Sequence, residues 1–190
     1  MRIMGFLAAA AVALILVTSG CAPRPAIFIH QSVDFSTIKR VAVLPLNNLT
    51  REQFAADRIR EMIITELLAT GYLDVVEPGQ TDKVIPRPRG QSPVALTPQE
   101  IKKFGKILNV QAFITGAVEA FEEVRFGQIS APEVCLTLHM VDVESGTIIW
   151  SVTNARGGVS FYTRLFGLGG DTMSESARKT VRKAIDTLIR

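Results

Sequence analysis

The sequence predicts an α+β fold: a small mixed β-sheet with helices packed mainly on one face, in the order β-α-β-α-β-β-β-α. Three observations predict it. Between residues 111 and 153 three runs alternate apolar and polar residues, separated by short turns, as an antiparallel meander requires. Val41-Ala42-Val43-Leu44 is a continuous, β-branched-rich run, the mark of a strand buried on both faces. Three Ser/Thr-x-x-Glu/Gln signatures each open a stripe of apolar residues at helical spacing,.

The elements follow in order from residue 38. After the first strand, Thr50-Arg51-Glu52-Gln53 fits a capping box, and the helix behind it places Ala55, Ile59, Met62, Ile63 and Leu67 on one side,. Gly71 ends that helix. "YLDVVE" is a second strand, with Leu73 and Val75 alternating against Asp74 and Val76. Residues 78 to 98 carry five prolines and read as a loop, with one helical turn around Asp82 to Ile85. Thr97-Pro98-Gln99-Glu100 is the second capping box, opening a helix striped by Ile101, Phe104, Ile107 and Leu108,.

Three strands come next. "QAFITGAVEAF" sets Ala112, Ile114, Gly116 and Val118 against Phe113, Thr115, Ala117 and Glu119. "EVCLTLHMVDV" sets Val134, Leu136, Leu138 and Met140 against Cys135, Thr137, His139 and Val141. "TIIWSVT" completes the set after a turn in which Gly146 supplies a positive φ,. Thr172-Met173-Ser174-Glu175 opens the last helix, which turns Ala177, Val181, Ala184, Ile185 and Leu188 inward.

The first twenty residues are different. Arg2 precedes an uncharged run from Ile3 to Val17, and Thr18-Ser19-Gly20 are small. That is a cleaved secretory signal, with a transmembrane helix as the rival reading. Val17-Thr18-Ser19-Gly20-Cys21 resembles a bacterial lipoprotein signal, although leucine is usual where Thr18 stands. The resemblance implies that Cys21 becomes the first residue and carries three acyl chains. Ala22, in place of aspartate, leans towards the outer membrane and its periplasmic face. Residues 1–20 are then the signal, 21–37 the lipidated N-terminus and tether, and 38–190 one globular domain. Within the tether, "AIFIH" either adds a short edge strand or lies on the domain surface.

With Cys21 lipidated, Cys135 is left alone and reads as buried,. Loss of Arg2 with the signal leaves 20 basic against 18 acidic side chains, too even a balance for a nucleic-acid partner. No cofactor is expected. Cys135 and His139 share one face of a strand, but four residues separate them by about 13 Å, beyond nucleophile–base reach. His30 and His139 with one free cysteine give no zinc spacing,. "FGLGGD" lacks both the G-x-G-x-x-G pattern and a following lysine,. The chain reads as a non-catalytic, protein-binding factor of an envelope assembly.

The contact is expected from an aromatic segment or from the Pro-rich loop of residues 78–98, and a basic stripe is weighed beside them. Phe161, Tyr162, Leu165, Phe166 and Leu168 crowd a glycine-flanked segment before the last helix, either as an interface or as a plug for the sheet's end. Arg178, Lys179, Arg182 and Lys183 form a basic stripe, either a solvated face or a contact for acidic partners.

Several phrases, "VAVLPLNN", "ITELLATGYLDVVE", "GKILNVQAFITGAVEAFE" and "LHMVDVESGTIIWS", together with the element order, resemble the CsgG-type lipoprotein superfamily. Its core is similar to the N-terminal domain of TolB and to lipoprotein activators of penicillin-binding proteins. The resemblance implies an envelope protein as partner, with two alternatives for the role: an oligomeric secretion component, hence a homo-oligomer, or an activator of a peptidoglycan synthase. The channel relatives insert membrane hairpins where this chain has "EEVRFGQISAPE" and residues 154–173, and neither stretch holds two full alternating strands. The activators' tether is usually longer, since it must cross the periplasm. Sixteen residues in polyproline form reach only about 50 Å.

Overall fold

The computed structural model describes residues 25–85, 96–127, 129–157 and 170–189. Their elements run β1 (Ala26–Ile29), β2 (Arg40–Val43), β3 (Asn47–Asn48), α1 (Ala55–Ala69), β4 (Asp74–Val75), α2 (Pro78–Val84), α3 (Pro98–Leu108), β5 (Ala112–Phe126), β6 (Ile129–Asp142), β7 (Ile148–Arg156) and α4 (Met173–Ile185). The strands make one mixed sheet in the order β1-β7-β6-β5-β2-β4, with β3 also on β5. β5, β6 and β7 form the meander that the alternation requires. β2 lies parallel to both β4 and β5, and the β2–β4 connection passes through α1, as a parallel pair needs a crossover.

Each face of the sheet buries a different set. Val41, Val43, Ile114, Val118, Leu136, Leu138, Trp150 and Val152 point to one side, where α1 and α4 cover them with Ile59, Ile63, Leu67, Val181 and Ile185. On the other side Ala42, Leu44 and Phe113 meet Ile85, Ile101 and Leu108 of the α2–α3 region. Polar ties fix α4. Trp150 Nε1 donates to Thr187 Oγ1 at 3.2 Å, Asn154 Nδ2 donates to the Thr180 carbonyl at 2.7 Å, and Arg182 pairs with Glu66 of α1 at 2.9 Å. α3 packs so closely that a Cβ on Gly105 would sit 2.3 Å from Val143 Cγ1. Gly116 admits the β6 backbone in the same way, since a Cβ there would lie 2.0 Å from the Thr137 carbonyl oxygen.

Both later capping boxes are present, at Thr97/Glu100 and Thr172/Glu175. The first is not. α1 starts at Ala55 behind Phe54, which gives no side-chain cap. Asn48 Nδ2 instead donates to the carbonyls of Glu52 and Gln53, and the Thr50 hydroxyl donates to Asn48 Oδ1. These local bonds hold residues 48–53 in a turn and delay the helix.

Three further expectations are revised. Residues 78–84 form a helix with proline in its first turn, and the Glu77 carboxylate accepts from the Gln80 amide,. Ile107 is 57% exposed, because α3 covers only a narrow strip of sheet. Within "EEVRFGQISAPE", residues 122–126 continue β5 and residues 129–133 belong to β6, with Glu123 opposite Pro132 and Phe126 opposite Ile129. Pro132 is tolerated there because β7 ends where Arg156 meets Val134, leaving β6 as an edge,.

"AIFIH" resolves as the edge strand. β1 pairs antiparallel with β7 from Ala26↔Thr153 to Ile29↔Trp150. It draws residues 26–29 out of the extended tether and into the sheet.

Candidate functional site

α2 and α3 cover only part of the second sheet face. Beyond them β5, β6 and β7 present Thr115, Cys135, Thr137, His139, Ser151 and Thr153, all half-buried. The cross-strand register puts His139 opposite Ser151 and Thr137 opposite Thr153, so each pair bonds directly. His139 Nδ1 lies 2.9 Å from Ser151 Oγ, and Thr137 Oγ1 lies 2.9 Å from Thr153 Oγ1. Thr137 also reaches Glu119 Oε1 at 2.7 Å, and Cys135 Sγ reaches Glu119 Oε2 at 3.4 Å. A carboxylate can only accept. The Thr137 proton therefore goes to Glu119, and Thr153 donates to Thr137.

Beside this ladder runs a groove of about 470 Å³, with Leu44, Leu96, Ile101 and Phe113 on its apolar side and Glu119 and His139 on its polar side. Burial, then the Glu119 hydrogen bond and the nearby Glu119 and Glu133 charges, push the Cys135 thiol up to about 11. It is a protonated thiol near neutral pH. Burial holds the His139 imidazole below its usual value, which keeps it neutral at pH 7. Cys135 and His139 are engaged with different partners, Glu119 and Ser151, and the structure does not bring them together. The alternation placed Thr115, Cys135, Thr137 and His139 on one side of their strands, and it did not single out Ser151 or Thr153. The signal that joins them is the register, which puts the hydroxyls of β6 and β7 opposite one another.

The other candidates stand as follows. Phe161, Tyr162, Leu165, Phe166 and Leu168 lie outside the described residues, as does Cys21. The ends of the aromatic segment are described. Arg156, last in β7, bonds Asp171 through Nε at 3.2 Å and Nη2 at 2.9 Å, and Lys179 pairs with the same carboxylate. Lys179 and Arg156 hold the Asp171 carboxyl below its ordinary range. This clasp ties the end of β7 to the start of α4 at the sheet end where β1 begins. Of the basic stripe, Lys179 and Arg182 are engaged within the fold by Asp171 and Glu66. Among the described residues no helix is long and apolar enough to cross a membrane.

Comparison with known proteins gives three kinds of result. The family model for the peptidoglycan-synthase activator LpoB matches residues 19–155. A search of curated proteins gives no match. Among solved structures, the PelC dodecamer from Paraburkholderia phytofirmans aligns with TM-score 0.61 and 21% identity over 86% of this chain and 95% of that one. The hypothetical protein CT253 from Chlamydia trachomatis aligns with TM-score 0.53 and 12% identity over 80% of this chain and 95% of that one. The LpoB C-terminal domain from Escherichia coli gives TM-score 0.45 and 21% identity over 66% of this chain and 88% of that one. The first two likenesses show a shared fold.

Proposed function

Because the chain belongs to the family of the peptidoglycan-synthase activator LpoB, we propose that it is a lipid-anchored envelope protein that activates a peptidoglycan synthase by binding it. The observation that carries this reading is the family match over residues 19–155, which begins just before Cys21 and runs through β7. It favours the activator over the secretion component. The synthase does the chemistry, and this chain supplies a docking surface. Cys21 anchors the domain in the outer membrane, facing the periplasm, and so raises its effective concentration near partners held in the same space.

The contact is made by the Phe161–Leu168 segment, whose base the Arg156–Asp171–Lys179 clasp holds closed. Crosslinking in intact envelopes followed by pull-down is expected to enrich a peptidoglycan synthase. Replacing Phe161, Tyr162 and Phe166 together by alanine removes that enrichment and leaves the circular dichroism spectrum unchanged. Undiminished capture would exclude this segment and move the contact to the groove or to the Pro-rich loop.

A homo-oligomer is a second reading, motivated by the dodecamer that PelC forms on the same fold. Light scattering on the detergent-solubilised, lipidated chain gives a multiple of the monomer mass if this holds. The mass of one chain rules it out.

A further inference from the structure

Sheet edges in soluble proteins are blunted by charge, proline or a covering element. Among the described residues nothing of the kind blunts β1. Its four residues Ala26–Ile29 are uncharged and all exposed, with Ile27 at 47%, Phe28 at 49% and Ile29 at 45%. Among the described residues β1 is the terminal strand of the sheet, paired only with β7. The His30 amide donates to the Ile149 carbonyl. By the alternation of antiparallel bonds, the backbone groups of Ile27 and Ile29 face away from β7, towards the open edge. Side chains directly opposite across a ladder share a face, so Ile27 and Ile29 follow Val152 and Trp150 to the helix side, and Phe28 follows Ser151 to the other,. The edge is thus apolar on both sides.

The length of chain before β1 decides what covers it. Between Cys21 and Ala26 lie only Ala22, Pro23, Arg24 and Pro25. The five Cα steps from Cys21 to Ala26, at about 3.3–3.6 Å each, span at most about 18 Å. If Cys21 is in the membrane, β1 starts within that distance of the lipid surface, and no domain fits in between.

We propose that the free edge of β1 lies along the membrane surface, with Ile27, Phe28 and Ile29 seated at the boundary between headgroups and acyl chains. This rests on the reading of Cys21 as the lipidated residue. Headgroup water satisfies the outward backbone groups of Ile27 and Ile29 at that depth, which the hydrocarbon core could not do. The domain is then held at the membrane with its sheet edge down. A synthase anchored elsewhere must bring its binding surface to the outer membrane, since this chain has no tether left to pay out.

Spin-label accessibility tests the proposal on the lipidated chain bound to vesicles of phosphatidylethanolamine and phosphatidylglycerol. A nitroxide is placed at position 27 or 29 (Ile27→Cys or Ile29→Cys, each with Cys135→Ser), and a control label at the exposed Ile107 (Ile107→Cys in the same background). On vesicles, positions 27 and 29 are expected to lose contact with a water-soluble nickel chelate several-fold relative to position 107, while contact with oxygen rises. Two labels keep the test alive if one variant fails to fold. Water-like values at both positions, in a chain that still floats with the vesicles, leave the anchor intact and overturn the edge contact. A protected position 27 with an aqueous position 29 means that only the strand's first residues touch lipid, and this also overturns it. Dipolar broadening between labels places a second copy on the edge and overturns it as well. A chain that does not float refutes the anchor, and the proposal falls with it.

Discussion

Replacing Arg60 by methionine is expected to lower the unfolding free energy by about 3 kcal/mol. Arg60 sits in α1 and is 3% exposed. Its Nε and Nη2 both donate to the Val43 carbonyl at the end of β2, at 3.0 and 2.7 Å. Nη1 donates to Asp82 Oδ2 at 3.2 Å, and Nη2 lies 3.0 Å from Asp82 Oδ1. One guanidinium therefore joins α1, β2 and α2. Methionine fills much of the same space but leaves a buried carbonyl and a carboxylate without their donor. Breaking a buried charge pair costs about 3–5 kcal/mol. The Asp82 side chain is 38% exposed, so water screens part of the loss, which sets the lower end. Lysine offers a point charge without the fork and is expected to recover about half of the loss. Urea titration reads the effect as a lower midpoint at unchanged slope. A loss below about 1 kcal/mol would mean that water replaces the guanidinium freely.

Replacing Cys21 by alanine is expected to move the protein from the membrane to the soluble fraction almost completely. Each buried CH₂ contributes about 0.8 kcal/mol, and a single acyl chain binds only marginally, so stable attachment needs several chains. Three short exposed side chains on β1 do not replace them. Expressed behind a signal cleaved before residue 21, the Cys21→Ala chain is recovered soluble, with the circular dichroism spectrum of the native protein. Equal membrane retention of the two forms would show that the chain holds the membrane by another means.

Much of the fold was legible because periodicity and capping are local. Val134, Leu136, Leu138 and Met140 are buried as the inward set, as are Ala177, Val181, Ala184 and Ile185, while Leu188 is half-buried. Two of the three capping boxes formed, and the third gave way to Asn48, whose bonds to Glu52 and Gln53 no residue pattern announces. Arg60 reads as a solvated residue on a helix until β2 and α2 arrive to bury it, and that is tertiary information. The polar ladder was half legible. The alternation showed Thr137 and His139 on β6, but their partners Thr153 and Ser151 depend on the register, which the turn at Gly146 and the irregularity between Met140 and Val141 set together. The edge strand was open in the sequence because four apolar residues satisfy a strand and a surface segment equally well.

The central claim is that this chain activates a peptidoglycan synthase, and a reconstituted polymerisation assay tests it most directly. The lipidated chain and the purified synthase enriched by crosslinking are placed in the same vesicles, and the rate of glycan-strand synthesis is followed. The account predicts a several-fold higher rate with the native chain, and no increase with the Phe161, Tyr162 and Phe166 triple alanine variant. Equal rates with and without the native chain, at concentrations where the two proteins crosslink, would contradict it.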